Sequence, residues 1–145
     1  MTIPQTVLFI DDDQEDLDLL SEATGFINAS ILRQTARNGL EAIRLLTHPE
    51  AILPDLIFLD INMPVMNGME CLVELKKIDQ LQHIPIVIWS TSLYLNNQQE
   101  YESLGADFYL VKPDTLIHTV NALQFVFERC GMKRIHAAPA KQLVA

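Results

Sequence analysis

Cysteine, glycine, tryptophan and positive charge are all scarce in this sequence. The two cysteines, Cys71 and Cys130, are far apart and fall in helical patterns, which excludes a disulfide framework and points to reduced thiols. Ten Lys and Arg stand against nineteen Asp and Glu, a formal net charge of −9. Such a surface repels nucleic-acid phosphates and anionic headgroups, so neither nucleic acid nor membrane is an expected partner. No apolar run approaches the ~20 residues of a membrane helix, and the N-terminus lacks a charged-then-apolar leader pattern. Internal repeats and low-complexity segments are missing as well. The histidines His48, His83, His118 and His136 are dispersed without ligand spacing, which argues against zinc. A cytoplasmic, acidic, single-domain protein is the expectation left standing.

What is present is ample apolar material. Of the 145 residues 49% are hydrophobic and 20% charged, enough for one domain with a sizeable core. Short, nearly continuous apolar runs at residues 7–10, 56–59, 86–89 and 108–111 read as strands covered on both faces. A fifth run at 31–36 is mixed with polar residues and suits a sheet edge. Helical stripes lie between them: Leu17, Leu20, Thr24 and Ile27; Gly39, Ile43 and Leu46; Met69, Leu72, Leu75 and Lys76; then Leu116, Val120, Leu123, Phe127 and Cys130. Strand and helix alternate, which predicts a parallel sheet wound with helices on both faces. The domain is expected to span residues 1–130, with 131–145 a short tail.

Open parallel sheets bind ligands beyond the carboxyl ends of their strands. The strand positions put Asp11 and Asp12, Asp60, Ser90 and Lys112 at that one edge. Carboxylates held together repel by about 1 kcal/mol per pair at 4 Å in water, and about fourfold more near a protein surface. A hard divalent cation such as Mg²⁺ relieves this and leaves positions open for phosphate. The set supplies metal-binding acids, a hydroxyl donor and a fixed cation, a site for a phosphoryl group. Asp13 fits a helix cap instead.

The motifs Ile10-Asp11-Asp12, Leu59-Asp60-Ile61-Asn62-Met63-Pro64 with Gly68, Ser90-Thr91 and Tyr109-Leu110-Val111-Lys112-Pro113 stand in a specific order and spacing. On these, the chain from Val7 to Cys130 resembles the receiver domains of two-component response regulators, in particular stand-alone ones of the chemotaxis type. The resemblance implies a flavodoxin-like, doubly wound, five-stranded parallel sheet in the order 2-1-3-4-5. It implies Asp60 as phosphoacceptor from a histidine kinase or phosphotransfer protein. Asp12 and Asp60 would bind Mg²⁺ directly, Asp11 through water, and Asn62 through its backbone carbonyl. Lys112 and Ser90 would each hold a phosphoryl oxygen, and Ser92 and Asn62 would tune dephosphorylation. Tyr109 would be an aromatic switch, swinging inward as phosphate draws in the Ser90 hydroxyl. The protein would be no enzyme in the usual sense. It would act through a downstream protein target, or serve as a phosphate sink.

Two other classes fit less well. Aspartate-dependent phosphatases place a second acid two residues after the nucleophile, where this chain has Asn62. Flavin carriers need a phosphate-binding loop after the first strand, where Asp11-Asp12-Asp13 would repel phosphate. Three further expectations concern surfaces. The segment 95–102, read as the fourth helix, is poor in apolar anchors and suits a mobile element. Helical geometry sets Phe125 opposite the buried stripe, facing solvent or a partner, so that with the fourth helix and fifth strand it could support a homodimer or kinase docking. Trp89, directly before Ser90, is expected to report metal binding by its fluorescence.

Overall fold

The computed structural model describes residues 3–91 and 95–130, the side chains of 95–97 excepted. Ser92 and the tail from residue 131 lie outside the described residues. The elements alternate as β1 (Thr6–Ile10), α1 (Gln14–Ile27), β2 (Leu32–Ala36), α2 (Gly39–Thr47), β3 (Leu56–Asp60), α3 (Gly68–Lys77), β4 (Ile86–Ser90), α4 (Leu95–Ser103), β5 (Phe108–Val111) and α5 (Leu116–Cys130). All strand pairs are parallel, in the order β2-β1-β3-β4-β5. The expected sheet is therefore the observed one, and β2, with its mixed composition, is an edge.

Period-two alternation explains how near-continuous apolar strands serve two cores. Leu8, Ile10, Ile57, Leu59, Ile86, Ile88 and Tyr109 face one way, onto Ala42 and Leu46 of α2, Cys71, Leu72 and Leu75 of α3, and Tyr101 of α4. Val7, Phe9, Leu56, Phe58, Val87, Trp89 and Leu110 face the other, onto Leu17, Leu20 and Ala23 of α1 and Ala122, Leu123, Val126 and Phe127 of α5. Phe58 is the hub of the second core, with its ring centroid 5.3 Å from Phe9, 5.7 Å from Trp89 and 6.3 Å from Phe127. Each such buried ring contributes about 1.5–3 kcal/mol through removal from water.

The expected stripe of α5 packs on the second core throughout, though its deepest residues differ, and the placing of Phe125 needs correcting. The fully buried stripe is Thr119, Ala122, Leu123, Val126 and Phe127, whereas Leu116, Val120 and Cys130 are only partly covered. Thr119, buried on this face, satisfies its hydroxyl on the Thr115 carbonyl at 2.8 Å. Phe125 is not set wholly opposite the packed face. It is partly buried against the second core, and the Arg129 guanidinium caps its ring at 3.6 Å from the centroid.

Candidate functional site

Asp11 and Asp12 leave the sheet directly after β1, where the Asp11 N–H donates to the Ala36 carbonyl at 3.0 Å and ties the exit to β2. Asp13 caps α1 by accepting from the Glu15 N–H at 2.9 Å, as expected, and its own N–H donates to Asp11 Oδ1 at 3.0 Å. Asp60 ends β3, with Trp89 as its register partner on β4. Ser90 ends β4 and is buried. Its carbonyl accepts from the Lys112 N–H at 2.7 Å, which fixes where Lys112 leaves β5.

The loop after Asp60 is tightly built. The Gly68 N–H donates to the Ile61 carbonyl at 2.9 Å, and a side chain at Gly68 would collide with the Asp60 carbonyl oxygen and Ile61 Cα. Asn67 and Glu70 then close a reciprocal capping box that starts α3. Between Ile61 and Gly68, Val65 takes φ of 68°, spanned by a Met66 N–H to Pro64 carbonyl bond of 2.7 Å, a strained three-residue turn. Asn62, in the same loop, is exposed.

Carboxylate oxygens of Asp11, Asp12 and Asp60 lie within 4.8 Å of one another. Lys112 Nζ sits among them, 2.7 Å from Asp11 Oδ2, 2.9 Å from Asp16 Oδ2 and 3.4 Å from Asp60 Oδ1. Asp11 is 1% and Asp60 7% exposed, so water screens neither well. Burial, and then the Asp11 charge, push the Asp60 carboxyl up to about 7 against the opposing pull of Lys112. Burial likewise raises Asp11, opposed by its bonds to Lys112 and the Asp13 N–H. Burial opposes the Lys112 ammonium, yet hydrogen bonds to Asp11 and Asp16 prevail and hold it above the ordinary lysine range. One ammonium thus serves an excess of negative charge.

The donor set suits Mg²⁺. Such an ion takes hard carboxylate oxygens directly or through bound water, and the three acids gather such oxygens in one small cluster. Two residues of this neighbourhood escaped the sequence reading. Asp16 reaches Lys112 from the first turn of α1. Arg37 donates from Nε and Nη2 to the Asp12 carbonyl at 3.2 and 2.8 Å, and from Nη1 to Gln14 at 3.2 Å. An acid on the inward face of a helix entering at the sheet edge was the available signal for Asp16. Arg37 contacts backbone across a loop, which sequence pattern does not reveal.

Ser90 and Tyr109 share a sheet face. Ile88 pairs in register with Tyr109, and Ser90 follows two residues later on the same side. Tyr109 is 0% exposed, its ring 6.3 Å from that of Tyr101 on α4. The ring is thus wholly inside the first core, more deeply placed than an edge-strand tyrosine with its hydroxyl in water.

Comparison with known proteins decides the family: residues 7–124 match the response regulator receiver domain. The chain belongs to that family. It is 32% identical over 114 residues to the polar-differentiation response regulator DivK of Brucella anthropi, covering 77% of this chain and 86% of DivK. The phosphorylated cyanobacterial phytochrome response regulator RcpA superposes with a TM-score of 0.78 at 29% identity, over 86% of this chain and 91% of RcpA. The Mn²⁺-bound response regulator Rcp1 gives 0.72 at 28% identity, over 85% and 91%. Receiver domains of two-component systems are signalling modules that take phosphate on an aspartate and bind Mg²⁺. The acidic trio of this receiver domain fits such an ion, and no helix among the described residues is long and apolar enough to cross a membrane.

Proposed function

We propose that this receiver domain, residues 1–130, accepts a phosphoryl group on Asp60 from a histidine kinase or phosphotransfer protein and signals by a changed protein-binding surface. The observation that carries this reading is the grouping of Asp11, Asp12 and Asp60 within 4.8 Å, with the Lys112 ammonium 3.4 Å from Asp60. An Asp60 carboxylate oxygen attacks the phosphorus of a phosphohistidine. The P–N bond breaks, its electron pair stays on the imidazole, which takes a proton, and an acyl phosphate forms on Asp60. Asp11, Asp12, Asp60 and the Asn62 carbonyl would hold Mg²⁺, which when bound neutralises charge on the phosphoryl oxygens. Lys112 takes one phosphoryl oxygen and the Ser90 hydroxyl another, so positioning and charge neutralisation do most of the work.

The same-face placement of Ser90 and Tyr109 supports Tyr109 as the residue that senses this bond, with α4 as its listener through Tyr101. Both described cysteines are free, which supports a reducing, cytoplasmic setting. Borohydride reduction of phosphorylated protein followed by peptide mapping tests the assignment. Conversion of residue 60 to homoserine is expected; a phosphoryl adduct found on any other residue refutes it.

A further inference from the structure

We propose that Asp16 is a positioning residue that competes with the incoming phosphoryl group for the Lys112 ammonium, and so sets how tightly the site engages phosphate. The inference rests on Asp60 being the phosphoacceptor. An ammonium has three N–H donors and no acceptor. At Lys112 short bonds go to Asp11 Oδ2 at 2.7 Å and Asp16 Oδ2 at 2.9 Å, while Asp60 Oδ1 stands off at 3.4 Å. That last distance is an ion pair rather than a good hydrogen bond. Asp16 therefore pulls the cation toward α1, away from the group it is to serve.

The two strong acceptors differ in how easily they let go. The Asp11 side chain is 2% exposed, so leaving it unpaired would strand a buried charge. Asp16 is 30% exposed. It borders an open cleft of about 440 Å³ lined also by Glu15, Leu19, Thr91, Pro113 and Asp114, where water can solvate a released carboxylate. When a phosphoryl oxygen arrives at Asp60, Asp16 is thus the partner that Lys112 gives up. Removing the Asp16 charge acts twice in one direction: it weakens the pull that draws Lys112 toward α1, and it removes a negative charge that the phosphoryl group must otherwise approach.

Asp16→Asn keeps the shape and deletes the charge; Asp16→Glu restores it. For each variant and wild type, the half-saturating concentration of acetyl phosphate is measured by intact mass at saturating Mg²⁺. The apparent Kd for beryllofluoride, a phosphoryl mimic that needs no chemistry, is measured beside it. Asp16→Asn is expected to lower both constants by about three- to tenfold, the size of one partly screened charge at short range. Asp16→Glu is expected to return toward wild type. A purely structural tether between α1 and β5 would lower the unfolding temperature of Asp16→Asn and leave both constants at wild-type values. That result, or a rise in either constant, overturns the proposal. Wild type that takes no phosphate on Asp60 brings down the phosphoacceptor reading and this inference with it, whereas normal wild-type phosphorylation with unchanged Asp16→Asn constants sinks the inference alone.

Discussion

Burial and the Asp11 charge hold the Asp60 carboxyl at about 7, above its ordinary 3.8, and this has a sign that can be measured. Between those values the folded protein keeps a proton that the unfolded chain has released. Metal-free stability therefore falls as pH rises through that window and stays low above it. In chelator-treated protein, wild type is expected to lose stability between about pH 4 and pH 7 relative to Asp60→Asn, the difference amounting to a few kcal/mol above about pH 7. Thermal or urea unfolding of both proteins across pH checks this; parallel curves would contradict it. Val65 makes a separate case. A β-branched residue at φ of 68° is strained where glycine would not be, and the side chain is 75% exposed, so it gains little from packing. Val65→Gly is expected to stabilise by about 1 kcal/mol in denaturant unfolding, the left-handed penalty less the entropy of glycine. At this scale Asp11, Asp12, Asp60 and Lys112 were legible because each directly follows an apolar strand run. Asp16 was passed over: its place in the first turn of α1 was a local hint, but its partner is a lysine 96 positions away.

Among elements, the strands were legible to within a residue or two, since full burial leaves a continuous apolar run, and the helices were legible in order and in part of their buried faces. The turn of α5 was harder. Thr119 and Ala122 look indifferent in sequence, yet both are buried, and Phe125 packs partly against the core. In the expected contact surface Phe125 is partly buried, and its ring is covered by the Arg129 guanidinium. Phe125→Ala is accordingly expected to cost about 1–3 kcal/mol in stability through lost burial and lost cation–π contact. Sedimentation is expected to remain that of wild type. A changed association state with unchanged stability would restore the surface reading. The fourth helix does match its description as sparingly anchored, with Tyr101 its buried apolar residue among the described side chains.

For the whole molecule, the parallel winding gathers residues from four separate stretches of chain, 11–16, 60, 90 and 112, onto one edge, and it does so at an electrostatic cost. Asp11, Asp16 and Asp60 crowd one ammonium, with Asp12 clustered beside Asp11 and Asp60, an arrangement that favours an added cation and an added hydrogen-bonding anion over the bare site. The direct test is incubation of wild type and Asp60→Asn with acetyl phosphate, with Mg²⁺ or with chelator, followed by intact-mass measurement. One phosphoryl group is expected on wild type with Mg²⁺, and none with chelator or on Asp60→Asn. Phosphorylation that survives chelation, or that persists in Asp60→Asn, would contradict the account.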